Sequence, residues 1–454
     1  MELIVKPILT YGIYERKEAS SWRPWGGIQT EDDMAEESMR IEREISDLSA
    51  KADFPLRMLP LTSIRRVEEL YDAMEEIESS DVILLYAAGG KEELLRQVLS
   101  HRPSIIFVRH RSGPVYLWYE IAHPALIRRR TDEIAQPWIG YEDVVVDDYG
   151  EVIWRLRAYY GLKNTIGARV ISIGEPGGWG VGEKAVSLAR LRWNLDVRVV
   201  SYEDLSQRIK KAKANKDYIA EAERRAEEYL TEGNVSLKTD RRFFVNAFIL
   251  YRIFKEILEE FEAKVITVRG CMSTIMPIAE TTACLPLSLL NDEGYIAFCE
   301  SDFVAIPSGI LLHYISGKPV FLNDPTYPHD GIVTLAHCTA PRKMDGKNLE
   351  DVEILTHFES DYGAAPKVKF RSGQEVTVIV PDFNEEVWVG FKGRIIDSPY
   401  FPICRSQVDI EIEGDWRELL KEMRGFHWMM AYGDYLREIG YALSKVDIKW
   451  KVIQ

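Results

Sequence analysis

The sequence predicts an α/β protein with two N-terminal α/β domains, each built on a Rossmann-like parallel sheet, and a C-terminal antiparallel β domain. Up to about residue 265, strand-like apolar runs alternate with helical patterns, which is typical of a parallel sheet covered by helices. After Met344, short Val- and Ile-rich segments are separated by Gly, Pro and Asn turns, which is typical of an antiparallel sheet or small barrel. A length of 454 residues allows several domains. We place them at 1–147, 148–344 and 345–454.

The first domain is predicted from strand runs that alternate with helix patterns. Thr30 precedes the clearest helix, because it can cap a first turn crowded with acids, and Ile41, Ile45 and Leu48 mark one apolar face. The predicted strands are Leu3–Leu9, Asp81–Tyr86 and Ser104–Val108, and further helices are predicted at Val67–Ser79 and Glu92–Ser100.

The same alternation continues in the second domain and then changes. Strands are predicted at Ala168–Ile173 and Asp196–Val200, and helices at Tyr149–Tyr160, Glu183–Trp193, Ser206–Leu230 and Phe243–Glu260. The C-terminal strands are predicted at Lys367–Phe370, Glu375–Val380, Val387–Ile396 and Gln407–Ile412, with a helix at Trp416–Met423.

A glycine-rich loop, Gly178 to Gly182, lies between a predicted strand and a predicted helix, where phosphate-binding turns occur. Its spacing is GxGxG rather than GxGxxG, and the acids Glu175 and Glu183 would repel a pyrophosphate. We therefore expect an ordinary strand-to-helix turn, or a loop that contacts a polyol substrate through Trp179.

Composition limits the partners and the compartment. The net charge is -15 and the basic residues are dispersed, which disfavours a nucleic-acid surface. The five cysteines have no CxxC spacing, so neither a disulfide framework nor a zinc knuckle is indicated, and we expect buried reduced thiols. No long apolar run indicates a membrane segment, and we expect a cytoplasmic protein with no membrane partner.

The stretch from Val265 to Met344 contains apolar runs that end in hard metal ligands. Glu300 and Asp302 follow one run, Asp324 follows the next, and His337 follows the third. Carboxylates with an imidazole suit Mn²⁺ or Mg²⁺ better than a thiophilic metal. Asp302 is expected to cap the helix that follows it.

The segments CESD and VFLNDP, separated by the helix-like SGILLHYISG, together with GFHWMMAYGDY, resemble the L-fucose isomerase and L-arabinose isomerase superfamily. The resemblance implies that Glu300, Asp324 and His427 bind one divalent metal, usually Mn²⁺, with Mg²⁺ or Co²⁺ as other candidates. It also implies an enzyme that interconverts an aldose and a ketose through a cis-enediol. Its subunits are expected to form a homo-oligomer, a trimer or a hexamer.

Within that resemblance, Glu300 and Asp324 are the expected acid/base pair, because a carboxylate must move a proton between C1 and C2 of the sugar. Trp179, Arg269 and His337 are the expected monosaccharide contacts, and a plain salt bridge is the alternative for Arg269. His337 is also a rival metal ligand, because arabinose isomerases use two histidines. The alternatives are a metal-dependent sugar epimerase or lyase, and a non-catalytic sugar-binding protein of the same fold.

Overall fold

The computed structural model describes residues 1–23, 25–119, 127 and 139–454 of the chain. These residues form two compact units, Met1–Lys163 and Asn164–Gln454, and the division falls within the helix Tyr149–Thr165. The predicted class is confirmed to the extent of an α/β protein with parallel sheets and a C-terminal antiparallel β sheet. The three-part division with boundaries after residues 147 and 344 stays a prediction.

The first unit contains a parallel sheet. Its strands are β1 (Leu3–Thr10), β2 (Leu56–Met58), β3 (Thr62–Ile64), β4 (Val82–Ala87), β5 (Ser104–Val108) and β6 (Val144–Val146). They lie in the order β2-β1-β4-β5-β6, and β3 also pairs with β1. The central strands are apolar and almost fully buried, as expected when both faces of a parallel sheet are covered.

The helices of this unit follow the predicted pattern closely. Thr30 caps the longest one, since its side chain accepts from the Asp33 backbone N–H and the Asp33 carboxylate accepts from that of Thr30. The helix predicted at Val67–Ser79 is broken by a 3₁₀ turn at Tyr71–Ala73. The described α-helices are Glu31–Lys51, Val67–Leu70, Met74–Ser79, Glu92–His101 and Tyr149–Thr165.

The second unit contains the remaining strands, which form a parallel sheet, a small mixed sheet and a barrel. They are β7 (Arg169–Ile173), β8 (Asp196–Val200), β9 (Val235–Leu237), β10 (Val265–Val268), β11 (Ile296–Phe298), β12 (Phe321–Pro325), β13 (Ile332–His337), β14 (Val352–His357), β15 (Tyr362–Val368), β16 (Glu375–Val380), β17 (Val387–Asp397), β18 (Ser406–Glu413), β19 (Trp428–Tyr432) and β20 (Lys449–Val452). The parallel sheet has the order β11-β10-β7-β8, and the small sheet has the order β15-β14-β9.

The helices of the second unit include the apolar Ile306–Ser316, which connects the end of the parallel sheet to β12. The charged block predicted as one helical region at Ser206–Leu230 is two helices, because Asn215 ends the first and caps the second. The α-helices that begin in this unit are Glu183–Trp193, Tyr202–Ala214, Lys216–Thr231, Arg241–Glu260, Met276–Ala279, Cys284–Asp292, Ile306–Ser316, Trp416–Lys421 and Leu436–Ser444.

The C-terminal sheet closes on itself as a barrel. Its antiparallel strands follow the order β16-β19-β12-β13-β18-β17, and β17 pairs back with β16. The last strand, β20, adds to β17 in parallel. Closure removes the exposed edges that an open antiparallel sheet would present.

Asp324 lies in the barrel and not in the parallel sheet of the second unit. Its strand, β12, lies in the barrel, where it pairs antiparallel with β13 and β19. The parallel sheet ends at β11, so the helix Ile306–Ser316 leads out of that sheet rather than back to it. A short apolar strand after a helix looks the same in either setting, because its partners are distant in sequence.

Among the described residues, we find no single helix with the length and apolar character needed to cross a membrane. One sharply bent pair, Cys271–Ala279 with Cys284–Asp292, meets the length and composition criteria when its two parts are taken together.

Candidate functional site

Glu300 follows the short strand β11 at the end of the parallel sheet. Both Glu300 and Ser301 have left-handed backbone conformations, with φ of 64° and 50°. Such values are uncommon for residues other than glycine and must be held by the surroundings. Here the Ser301 N–H donates to Thr267 Oγ1 at 3.1 Å, and the Ser301 and Ser172 hydroxyls are 2.8 Å apart. The anchored turn leaves the Glu300 side chain directed into a cavity.

The barrel supplies the other candidate ligands from three neighbouring strands. Asp324 lies on β12, and its register partner on β13 is Ala336, the residue before His337. On the other side of β12, Asn323 pairs with Trp428, so Asp324 and His427 are the next positions along these two strands. The register of the barrel therefore brings residues 324, 337 and 427 to one place.

The ligand atoms of these residues converge. His427 Nε2 is 3.3 Å from Asp324 Oδ1 and 3.5 Å from Glu300 Oε2, and His337 Nε2 is 3.7 Å from Glu300 Oε1. Ligand atoms about 2.1 Å from a shared cation lie roughly 3.0–3.4 Å apart. Glu300, His337 and His427 form the group of described residues whose ligand atoms all lie within 4.8 Å of one another, and Asp324 lies beside His427.

Asp302 holds His427 in place. Asp302 Oδ2 is 2.8 Å from His427 Nδ1, and neither side chain is exposed to solvent. The other oxygen, Oδ1, accepts from the backbone N–H of Val304 at 3.1 Å. A carboxylate bound to one imidazole nitrogen orients the other nitrogen toward a metal. The prediction that Asp302 caps the next helix is wrong, because that helix begins at Ile306 and its N-cap is Ala305.

Three buried ligand atoms at this site have no hydrogen-bond partner: Asp324 Oδ1, His337 Nε2 and His427 Nε2. The second nitrogen of His337 does have a partner, since Nδ1 lies 3.0 Å from the hydroxyl of Thr339. Buried polar atoms without partners are costly, and each calls for an explanation. A divalent cation would satisfy all three atoms, so the residues present fit a metal.

The pKa shifts at the site reflect the crowding of two carboxyls and two imidazoles. Burial raises the pKa of Asp324, and the charges of His337 and His427 oppose this only in part. Burial acts in the same direction on Glu300, but the two histidines outweigh it and lower the pKa of this carboxyl. For His427, burial acts to lower the pKa, yet Asp302 and the acidic neighbours raise it to about 10. The carboxyls and imidazoles of the site together therefore favour a positive charge at the point between them.

The cavity beside the ligands has a volume of about 610 Å³, within the range usual for small-molecule sites. Trp179 and Phe426 lie at its wall and stack with ring centroids 4.4 Å apart and an interplanar angle of 16°. The indole Nε1 of Trp179 donates to Glu300 Oε2 at 2.7 Å. An aromatic platform therefore lies next to a candidate metal ligand.

Arg269, at the end of β10, lines the same cavity, and its guanidinium donates to the main-chain oxygen of Glu175 at 3.4 Å. Gly177, directly before the glycine-rich loop, allows this approach, since a Cβ at this position would lie 2.0 Å from Arg269 Nη1. A Cβ on Gly178 would lie 2.5 Å from the side chain of Ala185. These glycines are explained by close packing of the loop, as expected for an ordinary turn.

All of the residues predicted for the site therefore lie at one cavity or directly behind it: Trp179, Arg269, Glu300, Asp324, His337 and His427. Sequence reasoning missed Phe426 and the role of Asp302. Phe426 directly precedes His427, and an aromatic residue next to a candidate ligand was a usable signal. The pairing of Asp302 with His427 joins positions 125 residues apart, and nothing local indicates it.

No protein-family model matches the sequence, and no curated protein is significantly similar to it.

Proposed function

We propose that this protein is a divalent-metal-dependent aldose–ketose isomerase of the L-fucose and L-arabinose isomerase type. The observation that carries the proposal is the set of buried, unpartnered atoms of Asp324, His337 and His427 that converge with Glu300 at a cavity. A binding protein for polyols needs aromatic rings and hydrogen bonds, but it does not need such a set of ligands.

Glu300, His337 and His427 would hold the ion, with Asp324 beside them. Mixed carboxylate and imidazole ligands suit Mn²⁺, and Co²⁺ or Mg²⁺ are further candidates. When bound, such an ion would polarise the carbonyl and the neighbouring hydroxyl of a sugar, which lowers the pKa of the C–H proton that must be moved.

Asp324 and Glu300 are the proposed acid/base pair. The two carboxyls have pKa values shifted in opposite directions, raised for Asp324 and lowered for Glu300. Such a separation lets one carboxyl carry a proton while the other stays ionised. In the aldose-to-ketose direction, a carboxylate takes the proton from C2 while O1 gains a proton, which gives a cis-enediol. The proton on O2 is then removed as the proton taken from C2 is delivered to C1, so that the net change moves one proton from C2 to C1 and one from O2 to O1.

The cavity wall supports a monosaccharide as substrate. The stacked pair Trp179 and Phe426 offers a flat apolar surface for the C–H face of a sugar, and Arg269 offers donors for its hydroxyls. We propose His337 as a contact of either the metal or the sugar. Both assignments place its free Nε2 at the centre of the reaction.

We also propose that the enzyme is a cytoplasmic homo-oligomer. All five cysteines are free thiols, which fits a reducing compartment. The trimer or hexamer expected from the resemblance is tested by light scattering on the purified protein.

The experiment that tests the proposal is incubation of the Mn²⁺-loaded protein with a panel of aldoses in D₂O. We expect a ketose product with deuterium at the exchanged carbon. A C-2 epimer without ketose would indicate an epimerase, chain cleavage would indicate a lyase, and binding without turnover of any sugar would indicate a sugar-binding protein; each of these would contradict the isomerase.

Variants connect the activity to the site. Glu300→Gln and His427→Ala should each abolish metal-dependent turnover, because each removes a candidate ligand. Glu359→Gln is the matched control, since Glu359 lies in the wall of the same cavity but outside the ligand group. Full activity in either of the first two variants would contradict the assignment.

A further inference from the structure

All five cysteines of the chain lie in the wall of the candidate-site cavity described above, although that cavity is lined by only 19 of the 454 residues. The thioether of the exposed Met272 lies in the same wall. Thiols that serve only as small apolar core residues have no reason to collect at one cavity. The wall is therefore rich in sulfur ligands, in contrast to the oxygen and nitrogen ligands around Glu300.

Three of these thiols contact one another. Cys284, Cys338 and Cys404 pack together, and Cys338 interacts with each of the other two. They come from separate parts of the chain: the start of the helix Cys284–Asp292, the residue after β13 and the connection before β18. The backbone N–H of Arg405 also donates to Cys338 Sγ at 3.3 Å, so this sulfur is held at the centre of the cluster.

We propose that Cys338, with Cys284 or Cys404, forms a binding site for a thiophilic monovalent ion such as Cu(I). Sulfur ligands select such ions over Mn²⁺ or Mg²⁺. The three sulfurs do not all lie within 4.8 Å of one another in the described structure, which disfavours a tetrahedral ion and favours two-coordinate binding between Cys338 and one neighbour. The site is separate in chemistry from the carboxylate and imidazole group, and it does not depend on the isomerase proposal.

Competition for Cu(I) tests this inference. The full-length protein, reduced and kept under anaerobic conditions, is titrated into the coloured Cu(I) complex of bicinchoninate, and loss of colour reports transfer of the ion. We expect one Cu(I) per chain to be transferred. Cys338→Ser should weaken binding by about 10- to 100-fold, at least the loss caused when a group that supports a metal ligand is removed.

Two variants locate the ion. Cys271→Ser is the matched control, because Cys271 lines the same cavity but lies outside the three-thiol cluster, and it should bind Cu(I) as the wild type does. Glu300→Gln should also retain binding. If Cys338→Ser fails to fold, as judged by circular dichroism, the double variant Cys284→Ser/Cys404→Ser takes its place. It should show weaker binding, because it removes both candidate partners of Cys338.

The inference is overturned if the wild type does not take Cu(I) from the chelator, or if the cluster variants bind it as tightly as the wild type. Loss of binding in Glu300→Gln with full binding in Cys338→Ser would also overturn it, because the ion would then lie on the carboxylate and imidazole group. A failed isomerase assay would leave all of these readouts intact.

Discussion

Replacement of Asp302 by Asn should weaken metal binding without changing a proposed ligand. Asp302 Oδ1 accepts from the backbone N–H of Val304, so the amide oxygen of an Asn should occupy that position. The amide nitrogen would then face His427 Nδ1, where the carboxylate oxygen now lies at 2.8 Å. An N–H donor at that place requires an unprotonated Nδ1. The proton then goes to Nε2, the atom that must face the metal.

The size of the effect follows from the lost interaction. A buried hydrogen bond that involves a charged group contributes about 1.5–3 kcal/mol. Its loss, together with the unfavourable tautomer, predicts Mn²⁺ binding weaker by about 10- to 100-fold. The affinity is measured from the electron paramagnetic resonance signal of free Mn²⁺ during a titration of the protein. The ¹⁵N chemical shifts of the imidazole report the tautomer directly.

Asp409→Asn is the matched control. Asp409 is a partly buried aspartate on the barrel strand β18, and it accepts from the Thr334 hydroxyl at 2.6 Å, away from the ligand group. The control should bind Mn²⁺ as the wild type does. The reasoning is refuted if Asp302→Asn binds Mn²⁺ with wild-type affinity, or if its His427 tautomer is unchanged while binding is lost.

His337→Ala should weaken Mn²⁺ binding on the order of 100-fold if this residue is a ligand, and unchanged affinity in the same titration would favour Asp324 instead. Trp179→Phe keeps the aromatic stack but removes the donor to Glu300, so kcat/KM should fall about 5-fold, equivalent to roughly 1 kcal/mol for one half-exposed hydrogen bond; a wild-type value would show that the bond is unimportant. Burial raises the pKa of Glu385 from 4.5 to about 8, so the folded chain keeps a proton that the unfolded chain releases. The free energy of unfolding should therefore fall by up to roughly 4 kcal/mol as pH rises from about 4.5 to about 8, and Glu385→Gln should remove that part of the pH dependence in urea titrations at several pH values.

Much of the fold was predictable because long periodic segments determine their own secondary structure. Helices such as Glu183–Trp193 and strands such as Ser104–Val108 have the predicted bounds. The pairing partners of short strands were harder to predict from the sequence. The run at Phe321–Pro325 follows a helix, as in a parallel α/β unit, yet it pairs with β19, about one hundred residues later. Only the tertiary pairing of strands distinguishes these two cases.

The candidate site shows the same limit. Glu300, Asp324 and His427 could be selected because each lies next to an apolar run, and a carboxylate or imidazole there is chemically conspicuous. The contribution of His337 depends on the antiparallel pairing of β12 with β13, which its neighbours in sequence do not reveal. Asp302 is a further example, since its partner is known only when two distant segments are packed together.

The order of strands in the barrel also has a consequence for synthesis on the ribosome. Strand β12 lies between β13 and β19, so a nascent chain that ends before residue 428 has Glu300, Asp324 and His337 but lacks the strand that fixes one side of β12. The barrel cannot close until β19 has emerged and paired with both β12 and β16. The ion is therefore expected to bind after the ribosome has synthesised all of the site residues, when the barrel has already formed.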